Sequence, residues 1–138
     1  MRKIYQTAED KEKQMRVATH ITKAWDCDFV TAPDLSYVDG KILGANGEVA
    51  ALVEIKTRKN ASNKYPTYML SANKWRNALH LANEYRVPFM LVVEFTDGVY
   101  ATKIKSDYLI AKGGRVDRND SMDIEDCIYI PMSEFKRV

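Results

Sequence analysis

Tyr37 to Lys59 reads Y-V-D-G-K-I-L-G-A-N-G-E-V-A-A-L-V-E-I-K-T-R-K. Two apolar runs flank Asn46-Gly47, a dipeptide favoured at the tip of two-residue hairpins because both positions take positive φ. With those two residues at the tip, Ala45 faces Glu48. Stepping outward from the tip, Asp39 comes to face Glu54. Directly opposed residues of an antiparallel pair share a face, with Cβ atoms about 4.5–5.5 Å apart. Lys56 lies two residues beyond Glu54 and therefore on the same face. The turn chemistry gathers two carboxylates and an amine on one side of a sheet. Opposed like charges destabilise a strand pair unless something compensates. A divalent cation between them reverses the sign of the interaction, and hard oxygen ligands favour Mg²⁺, Mn²⁺ or Ca²⁺. The plain alternative is a surface strand on which Lys56 neutralises Glu54.

The strand from Val49 to Lys56 has Ala50 and Leu52 on the Glu54 face and Val49, Ala51, Val53 and Ile55 on the other. Apolar residues on both faces describe a central strand covered on both sides, as in α/β architecture. A Glu and a Lys ending such a strand lie where a crevice opens. Upstream, Thr7 is placed as an N-cap with Glu9 and Asp10 in the first turn. The helix it opens is expected to run to about Asp26, with Met15, Ala18, Ile21 and Trp25 facing the core. Glu12 borders that face and Glu9 falls nearly opposite. Cys27 to Val30 reads as a short strand, broken by the Pro33-Asp34 turn.

Downstream, Thr57 to Tyr68 reads as a polar, basic loop, because Pro66 and its Asn and Ser residues oppose regular structure. Basic residues interleaved with Tyr65 and Tyr68 suit phosphate contacts and packing on bases or sugars. Ser71 caps a second helix to about Tyr85, with Trp75, Ala78, Leu79 and Ala82 as its apolar stripe. Lys74 and Arg76 sit at its start. Phe89 to Phe95 is a buried strand, Thr96-Asp97-Gly98 a turn, and Val99 to Ile104 a second hairpin strand. Glu94 and Asp97 read as edge and turn acids. In the tail, Gly113-Gly114-Arg115 is a flexible joint whose arginine can reach a phosphate. An acidic loop follows, then a strand from Cys127 to Ile130 and one helical turn within Ser133 to Val138.

With 138 residues, the chain reads as one domain with its own core. Apolar content of 46% and charged content of 29% place it among soluble globular proteins. A net charge of +2 does not by itself demand a nucleic-acid partner. The distribution says more: Lys56, Arg58, Lys59, Lys64, Lys74 and Arg76 lie close together, and Asp117, Asp120, Asp123, Glu125 and Asp126 lie apart from them. A basic flank beside paired carboxylates suits a polyanion bound through a metal. Cys27 and Cys127 lack metal-type spacing and read as reduced cytoplasmic thiols. His20 and His80 are isolated. No apolar run reaches membrane-spanning length, so no membrane partner is expected.

Helix, hairpin with D…E-x-K, helix, strand, strand is an order that resembles the PD-(D/E)XK nuclease superfamily. The residues that carry the resemblance are Asp39, Glu54 and Lys56 within V-E-I-K-T-R, and it is closest in kind to small phage-encoded or bacterial members. It covers about residues 7–104 as core, with 105–138 as a C-terminal extension of the same domain. Val38 stands before Asp39 where the motif's name has proline, and the Pro33-Asp34 pair lies out of register with Glu54. The resemblance implies a restriction-endonuclease-like αβββαβ core, with a mixed central sheet flanked by helices. It also implies metal-dependent hydrolysis of DNA phosphodiesters. Asp39, Glu54 and the main-chain carbonyl of Ile55 would hold Mg²⁺, with Mn²⁺ able to substitute and Glu12 as an outer ligand. Lys56 would position or activate the attacking water. Arg58, Lys59, Lys74, Tyr68 and Arg115 are the nucleic-acid-binding candidates. The expected location is the cytoplasm, or the host cytoplasm for a phage-encoded chain. A concerted double-strand cut needs a homodimer, which no sequence feature specifies. The competing readings are a non-catalytic nucleic-acid-binding module on the same fold and a protein-interaction domain whose Glu54–Lys56 pair is a surface salt bridge.

Overall fold

A computed structural model describes residues 8–33, 35, 37–114 and 124–138. The Thr7 cap, Asp34, Arg115 and the acidic residues Asp117, Asp120 and Asp123 lie outside the described residues. Helix α1 spans Ala8–Trp25 and α2 spans Ala72–Tyr85. The strands are β1 (Asp28–Thr31), β2 (Gly40–Leu43), β3 (Val49–Thr57), β4 (Thr67–Ser71), β5 (Phe89–Phe95), β6 (Gly98–Lys103), β7 (Ile110–Gly114), β8 (Ile124–Pro131) and β9 (Lys136–Arg137). No helix among the described residues is long and apolar enough to cross a membrane.

The central sheet has the order β1-β2-β3-β5-β6-β9. Strand β3 pairs with β5 in parallel, from Leu52 opposite Phe89 to Thr57 opposite Glu94, and the other pairs are antiparallel. The αβββαβ order and the mixed sheet agree with the fold expected from sequence. A parallel pair needs a crossover connection, and α2 supplies it. Both faces of β3 are covered, as its two-sided apolar composition requires. Val17, Ala18 and Ile21 of α1 pack on Ala51, Val53 and Ile55. Trp75, Ala78 and Ala82 of α2 share the opposite layer with Leu52, Leu91 and Val93.

The α1 face is turned from the expected one. Met15 is 47% exposed, whereas the β-branched Val17 is fully buried against the sheet. A second, three-stranded sheet in the order β4-β8-β7 was not expected at all. Thr67–Ser71 forms β4 instead of ending a loop, sending Tyr68 and Leu70 into the core and Met69 outward. Strand β8 buries Ile128 and Ile130 in the same layer. Gly113 and Gly114 pair with β8 and are not a joint, and β8 extends through part of the acidic stretch. The expected last helical turn is a short 3₁₀ segment, Met132–Glu134, followed by β9 against β6.

Ser71 caps α2 as read from sequence: the Lys74 N–H donates to its Oγ at 3.4 Å, and Oγ donates to Glu125 Oε2 at 3.1 Å. Ser71→Ala removes both and is expected to destabilise the fold by about 1 kcal/mol, read as an earlier urea midpoint with an unchanged slope. At its other end α2 stops at Arg86, which adopts φ 58° and bonds back to the Ala82 and Asn83 carbonyls.

Candidate active site

The hairpin that carries the site departs from its expected geometry in two compensating steps. Its tip is a three-residue loop, Ala45 to Gly47: the Gly44 N–H donates to Glu48 O at 2.8 Å and the Gly47 N–H donates to Gly44 O at 3.0 Å. Gly47 takes φ 79°, the left-handed position such a loop requires. Gly44 rather than Ala45 therefore opposes Glu48, one residue out of the expected step. A bulge follows between Ile42 and Leu43, where Ile42 pairs with Ala51 and Leu43 with Val49, leaving Ala50 as the extra, exposed residue. The expected pairing is restored beyond it, with Lys41 opposite Leu52 and Gly40 opposite Val53. Val49, before the bulge, packs on the α2 layer instead of the α1 layer. Asp39, the next residue out, lies just beyond the last strand pair and close enough to Glu54 to feel its charge.

The Asp39 backbone is fixed from both sides. Its N–H donates to Val53 O at 2.9 Å and its carbonyl accepts from the Ala32 N–H at 3.2 Å. Gly40 follows because a Cβ there would sit 2.5 Å from the Val30 carbonyl oxygen and the Phe29 ring. The Asp39 side chain folds back onto β3, where the Ile55 N–H donates to Oδ2 at 2.7 Å. Ile55 buries its side chain in the α1 layer, so its part in the site is main-chain.

Glu54 is 1% exposed on the α2 side of the sheet. Two ammonium groups reach the same oxygen: Lys74 Nζ lies 2.5 Å and Lys56 Nζ 3.2 Å from Oε1. These are ion pairs, and among the described residues neither Glu54 oxygen receives a hydrogen bond of acceptable direction. Lys74 is the residue whose N–H meets the Ser71 cap, so the first turn of α2 delivers its side chain to the strand. The 14% exposure of its side chain sets it apart from an ordinary surface lysine.

Burial and the neighbouring Glu54 charge push the Asp39 pKa up, opposed by the Ile55 hydrogen bond and by Lys56 and Lys74. A carboxyl with a raised folded-state pKa holds its proton longer in the native protein than in the unfolded chain. Its contribution to stability is thus greatest in acid and declines as pH rises from the ordinary carboxylate value through the raised one. Asp39→Asn keeps an acceptor for the Ile55 N–H and removes the charge. It is expected to flatten that decline and to raise the metal-free melting midpoint at pH 7 by a few degrees, the response to about 1 kcal/mol. Thermal melts in chelator across the acid range check this.

The other candidates scatter. The Arg58 guanidinium lies 5.1 Å from the centroid of the Tyr68 ring, and Arg58 itself is exposed just beyond β3. Tyr68 is 5% exposed and packs on Phe95 and Phe135, so its ring is not presented to a base as expected from a surface loop. The strand alternation of β4 turns it inward. Burial raises its pKa to about 12, and its hydroxyl is buried with no hydrogen-bond partner among the described residues. Lys59 is exposed. The foot of the basic loop is tied to the β5–β6 turn: Ser62 donates to Asp97 through N–H at 2.8 Å and Oγ at 2.6 Å, which lowers the Asp97 pKa. Glu94 pairs with Arg16 of α1 at 2.5 Å. Glu12 is exposed on α1, which covers the face opposite Glu54. Among the described residues no three acidic, histidine or cysteine side chains lie close enough to share a metal ion, so Glu12 does not join the pair. Sequence reasoning put Lys74 near the site as a phosphate contact but missed its pairing with Glu54. The signal was there: a base in a helix first turn lacking acids opposes the helix dipole and needs a local reason.

A family model described as "Phage putative PDDEXK endonuclease" matches residues 1–138. The chain belongs to this PDDEXK endonuclease family. Membership covers the whole chain, including the second sheet. Among solved structures, the PDDEXK chain is similar to Archaeoglobus fulgidus Hjc, a Holliday junction resolvase from an archaeal hyperthermophile. The TM-score is 0.64 at 12% identity, over 95% of this chain and 93% of that one. At that identity the likeness is one of fold. No curated protein matches.

The chemistry of the donor set fits a hard divalent cation. Two carboxylates stand opposed, and Glu54 Oε2 is a buried oxygen that receives no hydrogen bond from the described residues. The same oxygens, with Lys56 beside them, make a site for phosphoryl chemistry.

Proposed function

We propose that this PDDEXK endonuclease hydrolyses DNA phosphodiester bonds with a divalent metal, Mg²⁺ by preference and Mn²⁺ as a substitute. Asp39 and Glu54 would hold the ion, with the main-chain carbonyl of Ile55 beside them. When bound, it supplies Lewis-acid polarisation of the phosphate and acidifies a water. The chain's own residues do the rest. Lys56 orients the attacking water and stabilises charge that develops on the phosphate. Arg58, held over the Tyr68 ring, and exposed Lys59 position neighbouring phosphates along the strand. The observation that carries the reading is the Asp39 carboxylate held on the Ile55 N–H next to buried Glu54, with Lys56 paired to Glu54 at 3.2 Å.

The test is incubation with linear, circular, single-stranded and branched DNA in Mg²⁺ or Mn²⁺. Wild-type protein cleaves at least one of them, and Lys56→Ala does not. Cleavage that persists in both Glu54→Ala and Lys56→Ala sinks the assignment. One observation favours a second reading, a DNA-binding module without turnover: Lys56 and Lys74 both pair with Glu54 and can neutralise it. That module binds DNA in a salt-dependent way and cleaves none of the four substrates in either metal.

A further inference from the structure

Lys74 is out of place as an ordinary helix residue. It sits in the first turn of α2, where the helix dipole disfavours a cation, and that turn contains no acid. Its long side chain is held at 14% exposure, although a lysine loses substantial rotamer freedom on burial. The Glu54 carboxylate 2.5 Å away offsets both burdens. Lys56 can neutralise Glu54 from the same strand, with its own side chain 30% exposed and its ammonium farther off at 3.2 Å. One buried carboxylate oxygen thus carries two positive groups, one more than charge balance on Glu54 requires.

The surplus is explained by the second carboxylate. Asp39, held on the Ile55 N–H, lies beside Glu54 and within the field of Lys56 and Lys74. Two carboxylates and two ammonium groups sum to zero, so the metal-free cluster is complete as it stands. A divalent cation entering it meets two like charges already on Glu54 Oε1. The closer and more deeply held of them, Lys74, contests the carboxylate most strongly.

We propose that Lys74 is a built-in stand-in for the metal: its ammonium occupies the cation position on Glu54 and competes directly with a divalent ion for it. The proposal rests on the reading of Asp39 and Glu54 as the metal pair. Lys74 is a positioning residue on this account, acting through Glu54 and not on the reacting atoms. The displaced ammonium stays tethered at the mouth of the site. Metal affinity is therefore weak until a polyanion takes up that charge, which confines loaded enzyme to bound DNA.

The experiment is Mn²⁺ titration calorimetry, without DNA, on wild type, Lys74→Gln, Lys74→Arg and Asp39→Asn, with circular dichroism to confirm folding. Lys74→Met replaces the glutamine variant if that one fails to fold. Competition predicts that the neutral variant binds Mn²⁺ about tenfold more tightly than wild type, within the ordinary range of coupling between two ligands. Lys74→Arg keeps the charge and is expected at wild-type affinity or below. A neutral variant that binds no more tightly than wild type overturns the stand-in role while leaving the metal pair intact. An arginine variant that gains as much as the neutral one also overturns it, because the gain then reflects a repacked helix end. Heat that is absent in both wild type and the neutral variant, or unaltered by Asp39→Asn, instead removes the metal pair itself and this inference with it.

Discussion

Glu54→Ala lowers metal-dependent DNA cleavage by about a thousandfold, the scale set by removing one preorganised electrostatic group from an active site. The same change has a large structural effect. Glu54 is 1% exposed and is the common partner of Lys56 and Lys74. Removing one member of a buried ion pair costs about 3–5 kcal/mol. That is a sizeable part of the about 5–15 kcal/mol that holds a domain folded. The activity measurement must therefore be paired with a denaturation curve. Glu54→Gln separates the two effects: it keeps the volume and an oxygen for the ammonium groups while losing the charge. Its cleavage rate is expected to fall almost as far as that of the alanine variant, with a smaller loss of stability. Full activity in a folded glutamine variant would show that Glu54 is a structural counter-ion only.

Phe89→Ala is the change expected to damage the fold most without touching the site. Phe89 is 1% exposed at the start of β5, opposite Leu52 in the parallel pair that centres the sheet. Its carbonyl accepts from the Ile104 N–H at 2.9 Å, and the adjacent Pro88 carbonyl accepts from the Leu52 N–H at 3.0 Å. A buried Phe→Ala change costs about 3–5 kcal/mol through lost burial and the cavity left behind. Urea denaturation should place the midpoint well below that of wild type, with residual activity below the new midpoint. A loss under about 1 kcal/mol would mean that the α2 layer collapses to fill the gap.

The central hairpin and its neighbours were legible in sequence because their determinants are local. Ser71 caps the helix it precedes, and β3 is apolar on both faces because it is central. The second sheet was not legible because its pairing joins β4 to β8 across α2 and the β5–β6 hairpin. The loop-like composition before Tyr68 hid the alternation of Tyr68 and Leu70, which is visible only once β8 supplies a partner. Met15 and Val17 lie on opposite flanks of the stripe through Ala18 and Ile21, about 160° apart round the helix, and the sheet surface decides which flank is buried. The opposition of Asp39 and Glu54 was reached through a two-residue turn that does not form. The three-residue loop and the bulge at Ala50 arrive at the pairing of Gly40 with Val53, which brings Asp39 beside Glu54, by another route.

That bulge gives the hairpin a length tolerance. Pairing is regular on both sides of Ala50, with Leu43 on Val49 before it and Ile42 on Ala51 after it. Excising Ala50 lets the two stretches join without sliding either, and Asp39 still meets Glu54. Excising one residue more, with no bulge left to absorb the loss, moves the far end of β3 by one position and turns Glu54 to the α1 side. The outer half of the hairpin is therefore free to drift in length and sequence between relatives, while the inner half keeps its count.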